Sequence, residues 1–182
     1  MNNQPILKVT GAAKNFGGIA AVRDVSFELA AGEIIGLIGP NGAGKTTLIN
    51  LITGVYPANS GSIVFDGADV TGQKPFQAAR RGIARTFQIV QPFPEMTVLQ
   101  NVTAGALFAR QSGSITNAVE ESREHLKFVG LADLAETPAA SLTLPNRKRL
   151  ELAKSLAMRP RLLLLDEVNA GLNPTEISGA LN

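Results

Sequence analysis

Hydrophobic and polar residues alternate in short runs over the first third of the chain, a pattern typical of β-strands. The alternation at residues 6–10 and 25–29 indicates strands with one buried face. A third run, 62–67, ends in the turn dipeptide Asp66-Gly67. Residues 33–38, Glu-Ile-Ile-Gly-Leu-Ile, are apolar at almost every position and also predict a strand. The N-terminal part is therefore expected to combine antiparallel strands with this more hydrophobic one.

The second half of the chain changes to the spacing of helices. Helices are predicted over residues 76–81, 98 to about 109, about 117–129 and 147–158. Thr97 suits the N-cap of the second helix, and Pro160 ends the last one. A strand at 83–88 precedes this helical region. Four consecutive leucines at 162–165 follow it and fit a parallel strand that is covered on both faces.

A glycine-rich segment joins the apolar run 33–38 to a helical pattern that starts near Leu48. Its three glycines let the backbone curl so that successive N–H groups point at phosphate oxygens, and the helix adds further N–H groups. Lys45 can reach the β- and γ-phosphates, and the Thr46 hydroxyl can ligate Mg²⁺. The candidate phosphate-binding residues are Gly39, Pro40, Asn41, Gly42, Ala43, Gly44, Lys45, Thr46 and Thr47. The flanking strand and helix favour a nucleoside triphosphate site over a chance glycine-rich turn.

Two acidic residues follow the four leucines. Asp166 and Glu167 stand where a parallel strand ends, the edge at which open α/β sheets place their ligands. Asp166 can hold Mg²⁺, directly or through water, and Glu167 can orient or deprotonate an attacking water. The plain alternative is a solvated strand end. The phosphate-binding segment upstream favours the catalytic interpretation.

Composition limits the other classes of function. The 182-residue chain is 45% hydrophobic and 18% charged and has no cysteine, which describes a globular protein without disulfides or thiolate metal sites. A formal net charge of +2 gives no reason to expect nucleic acid, and the basic run at 147–149 is too short to change that. No apolar run approaches the roughly 18 residues that cross a membrane, and the first residues lack a signal-peptide pattern. We expect a cytosolic protein, or one held at a membrane by a partner.

Together these segments resemble the ATP-binding subunit of an ABC transporter over essentially the whole chain. The pieces follow the family's order: the phosphate loop, Gln88 after Arg-Thr-Phe, a helical region, the signature position at 142–146, the strand and acids at 162–167, and a loop at 170–173. The resemblance implies an α/β P-loop NTPase fold of the RecA-like type, with an N-terminal antiparallel β subdomain and an inserted helical subdomain. Residues 1–87 and 161–182 would form the nucleotide-binding core. Residues 88–160 would form the helical subdomain.

The resemblance also assigns roles to single residues. Phe16, which as a lone phenylalanine would more often belong to the core, becomes the aromatic that stacks on adenine, and Val22 joins the nucleotide site. Gln88 would sense the γ-phosphate, and Thr143 would offer its hydroxyl to ATP held by a second subunit. ATP and Mg²⁺ are the implied cofactors. The implied catalytic residues are Glu167, Gln88 and Lys45, and the implied metal ligands are Thr46, Gln88 and Asp166.

Three segments, 14–22, 84–88 and 166–176, look like those of the branched-chain amino acid importers. This implies a subunit on the inner face of the plasma membrane that works with transmembrane permease subunits, with residues 89–101 facing the permease. A second ATP-binding subunit, identical or not, would complete the pair, a substrate-binding protein would act indirectly, and nucleic acid is not an expected partner. Two alternatives stay open: a non-transport ABC ATPase of translation or DNA repair, and a module that binds nucleotide without turnover. A small-molecule kinase is more distant, because nothing between Gln88 and Pro160 resembles a lid.

Three features depart from the family's pattern. The usual signature Leu-Ser-Gly-Gly-Gln reads Leu-Thr-Leu-Pro-Asn at 142–146, where Pro145 has no N–H to donate. Asn173 replaces an aspartate. The family also continues beyond Asn182 with a strand, a switch histidine and further helices. The expectation is therefore a truncated core of marginal stability, with C-terminal strands and helices missing and unpaired backbone beside the strand at 33–38.

Replacing Glu167 by Gln should preserve ATP binding and remove turnover, because the amide keeps the shape of the side chain but cannot accept the proton of the attacking water. Equilibrium ATP binding and steady-state phosphate release measure the two effects separately. Hydrolysis at the parent rate in Glu167→Gln would show that another group is the base.

Overall fold

The computed structural model describes residues 4–87, 91–109 and 114–166. The chain divides into two units, with the boundary between Ala78 and Ala79. A short helix, α2 (Pro75–Arg80), spans this boundary.

The N-terminal unit is built on an antiparallel sheet. Its elements are β1 (Leu7–Phe16), β2 (Ile19–Leu29), α1 (Lys45–Ile52), β3 (Ser60–Phe65) and β4 (Ala68–Asp69). The strand order is β2-β1-β3-β4. The strands predicted at 6–10 and 25–29 are confirmed as parts of the longer β1 and β2, which form a hairpin. Leu7 lies opposite Leu29 on one side and Phe65 on the other, and all three side chains are buried.

The strand predicted at 33–38 is wrong for this structure. These residues have no strand conformation and pair with no strand in the described part of the chain. All four of their large apolar side chains are exposed, and Ile38 reaches 96%. A strand is stable only when a neighbour takes up its backbone hydrogen bonds. This segment meets no such neighbour among the described residues.

The C-terminal unit combines a parallel strand pair with three long helices. Its elements are β5 (Ile83–Arg85), α3 (Val98–Ala109), α4 (Ile115–Phe128), α5 (Leu144–Ala157) and β6 (Leu162–Leu164), with 3₁₀ turns at 132–134 and 139–141. β5 and β6 are parallel, as predicted for the leucine strand. Helix α5 begins three residues before the predicted Arg147, because Pro145 suits a first helical turn. Among the described residues, no helix has the length and apolar character that a membrane span requires.

The three helices bury one apolar core. Val98, Val102 and Ala106 lie one helical turn apart on α3 and are fully buried, which confirms the helical spacing from which the helix was predicted. They pack in one cluster with Leu126 of α4 and Leu150 of α5. This core fixes where both ends of α3 and α5 lie, and these ends carry the functional segments.

A buried amide secures the segment that leads into α3. Asn101 is fully buried, and its Oδ1 accepts a hydrogen bond from the Phe93 N–H at 2.9 Å. Its Nδ2 donates to the carbonyl oxygens of Phe93 and Thr97, both at 3.0 Å. The Thr97 hydroxyl accepts from the Gln100 N–H at 3.1 Å, so the predicted N-cap is confirmed. One side chain therefore holds residues 93–97 against the helix.

Replacing Asn101 by Ala should lower the free energy of unfolding by roughly 2–4 kcal/mol, because the buried Phe93 N–H loses its acceptor and the carbonyls of Phe93, Met96 and Thr97 each lose the donor that the amide provides. Urea unfolding measures the change. The control is Asn117→Ala on α4, an exposed residue whose replacement should change stability by less than about 0.5 kcal/mol. Equal effects of the two variants would contradict the proposed role of Asn101.

Candidate nucleotide site

The glycine-rich segment forms a loop that closes on its own lysine. Helix α1 begins at Lys45, with Gly44 as its N-cap. Lys45 Nζ donates hydrogen bonds to the carbonyl oxygens of Gly39 at 2.7 Å and Pro40 at 2.9 Å. The Ala43 N–H also donates to the Pro40 carbonyl at 3.2 Å. The ammonium group therefore lies inside the curl of the backbone that the sequence predicted.

Gly44 is the point at which this loop meets the sheet. Its φ is +84°, and a Cβ placed there would overlap the carbonyl oxygen of Ala21 in β2. The same Cβ would lie 3.4 Å from Val22 Cγ2, and Val22 is buried. Only glycine allows both the left-handed backbone and this close approach. Val22, predicted at the nucleotide site, is thus placed behind the loop, where it packs against Gly44.

The start of α1 has the chemistry of an anion site. Its first turn contains no acidic residue, and Gly44 has no side chain that could cap the first N–H groups. Gly42 also has a positive φ of +80°, and a Cβ placed there would meet nothing within 4 Å, so the loop faces open space. Backbone N–H groups, the helix dipole and Lys45 all favour negative charge here. The residues present therefore fit a triphosphate.

The remaining residues of the loop are accessible to a ligand. Gly39 and Thr47 are half-buried, and the exposed members are Pro40, Asn41, Gly42, Ala43 and Thr46. The Thr46 hydroxyl, a hard oxygen donor, suits Mg²⁺.

Phe16 ends β1 at the hairpin and is not a core residue, because 43% of its surface is exposed. Its ring lies 5.2 Å from that of Tyr56, centroid to centroid, at an interplanar angle of 77°. Lys14 Nζ lies 5.3 Å from the Phe16 centroid. Sequence reasoning missed Tyr56, which stands 40 positions away and carries no motif.

Asp166 follows β6 in a buried polar cluster. Its N–H donates to Thr86 Oγ1 at 3.2 Å, and the Thr86 N–H donates to the Leu164 carbonyl at 3.0 Å. Asp166 Oδ2 lies 3.6 Å from Arg85 Nη2, and both side chains are less than a tenth exposed. The guanidinium also lies 4.5 Å from the Phe87 ring centroid. A carboxylate held in this way at the end of a parallel strand fits the donor chemistry of Mg²⁺.

Arg85 was not singled out from the sequence, although it is the cation that faces Asp166. Burial lowers the pKa of its guanidinium, and the charge of Asp166 opposes that change. Its Nε donates to the Thr86 carbonyl at 3.3 Å, and its own carbonyl accepts from Ser155 Oγ at 3.1 Å. The sequence signal that could have identified Arg85 is its place in a short apolar strand, because a charge buried there needs an oppositely charged or hydrogen-bonding partner.

Thr143 stands at the exposed start of α5. It is the N-cap residue of this helix, and its side chain makes no capping hydrogen bond. Leu144 is 64% exposed and Pro145 lies in the first turn. Arg147 Nη2 donates to the Ala140 carbonyl at 2.7 Å. The structure thus places the departures from the family's signature on an accessible helix start.

The predicted site residues fall into two groups that the structure describes separately. The phosphate loop, Phe16 and Val22 belong to the N-terminal unit. Asp166 and Thr143 belong to the C-terminal unit. Gln88 and Glu167 lie outside the described residues.

Replacing Arg85 by Met should lower the free energy of unfolding by roughly 2–4 kcal/mol, because the buried Asp166 carboxylate loses its facing cation. Asp166→Asn in the same background should recover part of that loss, since the two changes act on one ion pair. Urea unfolding of the two single variants and the double variant measures the coupling. Arg81→Met, at an exposed arginine nearby, is the control. Strictly additive effects would show that the pair is not coupled.

Comparison with known proteins supports the family resemblance that the sequence motifs indicate. The family model described as ABC transporter matches residues 22–170. The high-affinity branched-chain amino acid transport ATP-binding protein BraF of Pseudomonas aeruginosa is 38% identical over 187 aligned positions, which cover 96% of this chain and 73% of the relative. LivG of Escherichia coli, described in the same words, gives the same identity and coverage. A probable branched-chain amino acid transport ATP-binding protein of Archaeoglobus fulgidus is also 38% identical, over 93% of this chain and 70% of its own.

Solved structures agree with the fold. A nucleotide-free ATP-binding cassette from an ABC transporter matches with a TM-score of 0.78 at 33% identity, covering 96% of this chain and 73% of its own. The ADP conformation of an ATP-binding cassette of an ABC transporter gives a TM-score of 0.78 at 33% identity, over 98% of this chain and 76% of its own. The predicted α/β P-loop fold is confirmed. This chain belongs to the ABC transporter family, and it is an ATP-binding cassette of that family, an ATPase coupled to transport.

Proposed function

We propose that this chain energises an importer of branched-chain amino acids by binding and hydrolysing ATP. The observation that carries the proposal is the phosphate loop, in which Lys45 lies inside the curl of residues 39–44 at the start of α1. The names of the relatives at 38% identity supply the class of cargo. The cargo itself would be handled by the membrane subunits and not by this chain.

Each group at the site has a chemical task in this proposal. The loop N–H groups and Lys45 bind the phosphates, and Phe16 stacks on adenine. Thr46, Gln88 and Asp166 would hold Mg²⁺, which would supply positive charge against the phosphates. Glu167 accepts a proton from the attacking water. In this proposal residues 1–87 and 161–182 would form the nucleotide-binding core and residues 88–160 the helical subdomain, a division by role that differs from the two compact units of the structure.

The proposed assembly pairs this cassette with a second one and with permease subunits. The exposed N-cap Thr143 and the first turn of α5 would face the ATP held by the other cassette, since an uncapped helix start favours phosphate. Residues 89–101 would face the permease at the inner side of the plasma membrane, and Asn101 would hold part of that segment in shape. A substrate-binding protein would deliver the amino acid on the opposite side.

A second candidate is a cassette that binds nucleotide without turnover. Leu144 and Pro145 favour it, because a side chain and a missing N–H stand where the family has small residues with free amides. Steady-state phosphate release at increasing protein concentration separates the two candidates. Release that rises more steeply than linearly indicates a working pair of cassettes. Binding without release favours the second candidate.

Replacing Lys45 by Ala should weaken ATP binding by about 10- to 100-fold, the value of one or two charge-assisted hydrogen bonds to phosphate. Titration calorimetry with ATP and Mg²⁺ measures the affinity. Lys74→Ala, at an exposed lysine of the same unit, is the control and should bind as the parent does. Unchanged affinity in Lys45→Ala would refute the assignment of the phosphate loop.

A further inference from the structure

We infer that Tyr56 and Lys14 position Phe16 for stacking on the nucleobase, so that the base-binding platform is a three-residue cluster and not a single ring. This inference rests on the proposed function and adds two positioning residues to it. We call Lys14, Phe16 and Tyr56 the aromatic corner.

The contacts within the aromatic corner are mutual. The Phe16 and Tyr56 rings meet edge to face at 5.2 Å, an arrangement that stabilises aromatic pairs. Lys14 Nζ lies 5.3 Å from the centroid of Phe16 and 6.0 Å from that of Tyr56, within the range of cation–π attraction. Its ammonium is held in place by a hydrogen bond to the Pro57 carbonyl at 2.8 Å.

The aromatic corner still leaves surface for a ligand. Phe16 keeps 43% of its surface exposed and Tyr56 keeps 37%, although each ring contacts the other. Both rings therefore keep apolar surface in water beside the Lys14 ammonium, which the Pro57 carbonyl holds in place. A nucleobase that stacks on Phe16 would cover part of this surface, which is the physical reason to expect a base here.

Backbone hydrogen bonds connect the segment that carries Tyr56 to α1, which begins at the phosphate loop, and to β1, which ends in Phe16. The N–H groups of Val55 and Tyr56 donate to the Asn50 carbonyl in α1, at 2.9 and 3.2 Å, and α1 begins at the phosphate loop. The Asn59 N–H donates to the Ala13 carbonyl in β1 at 2.8 Å, and Asn59 Oδ1 accepts from the Asn15 N–H at 2.8 Å. Tyr56 therefore stands on a segment that is bonded both to the phosphate-binding helix and to the strand that ends in Phe16.

This arrangement explains why a lone phenylalanine at a hairpin end would not suffice. Phe16 precedes Gly17 and Gly18, two residues that leave the backbone of a turn free to move. Ordering the ring only when the base arrives would cost affinity, because rotamer and backbone freedom would be lost on binding. Tyr56 and Lys14 restrict that freedom in advance. Their effect should therefore appear in binding of the base and not in binding of the phosphates.

The chain provides its own probe for a direct test. Tyr56 is the single tyrosine and there is no tryptophan, so tyrosine emission reports on this corner alone. Titration of the full chain with ATP should change that emission. Inorganic triphosphate, which can occupy the phosphate loop but has no base, should leave it unchanged. An equal response to both ligands would overturn the inference.

Variants separate positioning from general damage. Tyr56→Leu should weaken ATP binding roughly 2- to 10-fold and leave the affinity for inorganic triphosphate unchanged, while Tyr56→Phe should restore ATP binding. Phe16→Leu should weaken ATP roughly 5-fold or more, and Tyr56→Leu added to it should have no further effect, because Tyr56 acts through Phe16. The matched control is Phe76→Leu, because Phe76 is also an exposed phenylalanine but lies in α2 and not in β1. Calorimetry gives all these affinities.

Each outcome decides between the two proposals. If Tyr56→Leu leaves ATP binding unchanged, weakens inorganic triphosphate as much as ATP, or adds fully to Phe16→Leu, the positioning role is wrong and the nucleotide site stands. If the parent chain binds neither ATP nor inorganic triphosphate, the proposed function fails and the inference fails with it.

Discussion

The position of the phosphate loop depends on the absence of one side chain. Gly44 packs so closely on the Ala21 carbonyl of β2 that no Cβ fits, and its left-handed backbone turns the chain into α1. This contact joins the loop to β2, which forms a hairpin with β1, the strand that ends in Phe16. The antiparallel sheet thereby sets both the place where phosphates would bind and the place where a base would stack. Hydrophobic packing stabilises the sheet, but the backbone contact at Gly44 determines the geometry of the site.

The C-terminal unit fixes its functional positions by a different means, because buried polar groups align its segments. The Asn101 amide bonds to the backbone N–H and carbonyl of Phe93, before α3. Thr86 and Arg85 contact Asp166 at the end of β6. Such groups are costly to bury unless their partners are in place. They therefore favour one arrangement of these segments over others that the apolar core alone would accept.

Much of the fold could be predicted from the sequence, because local patterns decide it. Helical spacing located α3 and α5, and the glycines and Lys45 located the phosphate loop with the helix that follows it. The prediction of a strand at 33–38 was wrong, because a strand forms only when its backbone pairs with a neighbouring strand. That neighbour is distant in sequence, and local hydrophobicity does not reveal it. Tyr56 and Arg85 escaped notice for a related reason. Each matters through a residue far away in the chain, Phe16 for one and Asp166 for the other.

The exposed segment at 33–38 has a consequence for the behaviour of the protein in solution. Ile34, Ile35, Leu37 and Ile38 form a run of high β-propensity that carries no charge and no proline within 34–38, and its side chains are open to water. Such a run is a template for intermolecular β-pairing, and many identical copies in solution would stack on one another through it. This segment therefore favours self-association, and the formal net charge of +2 offers little repulsion between copies. Glu33 directly precedes the run, and its negative charge opposes pairing between copies of this segment.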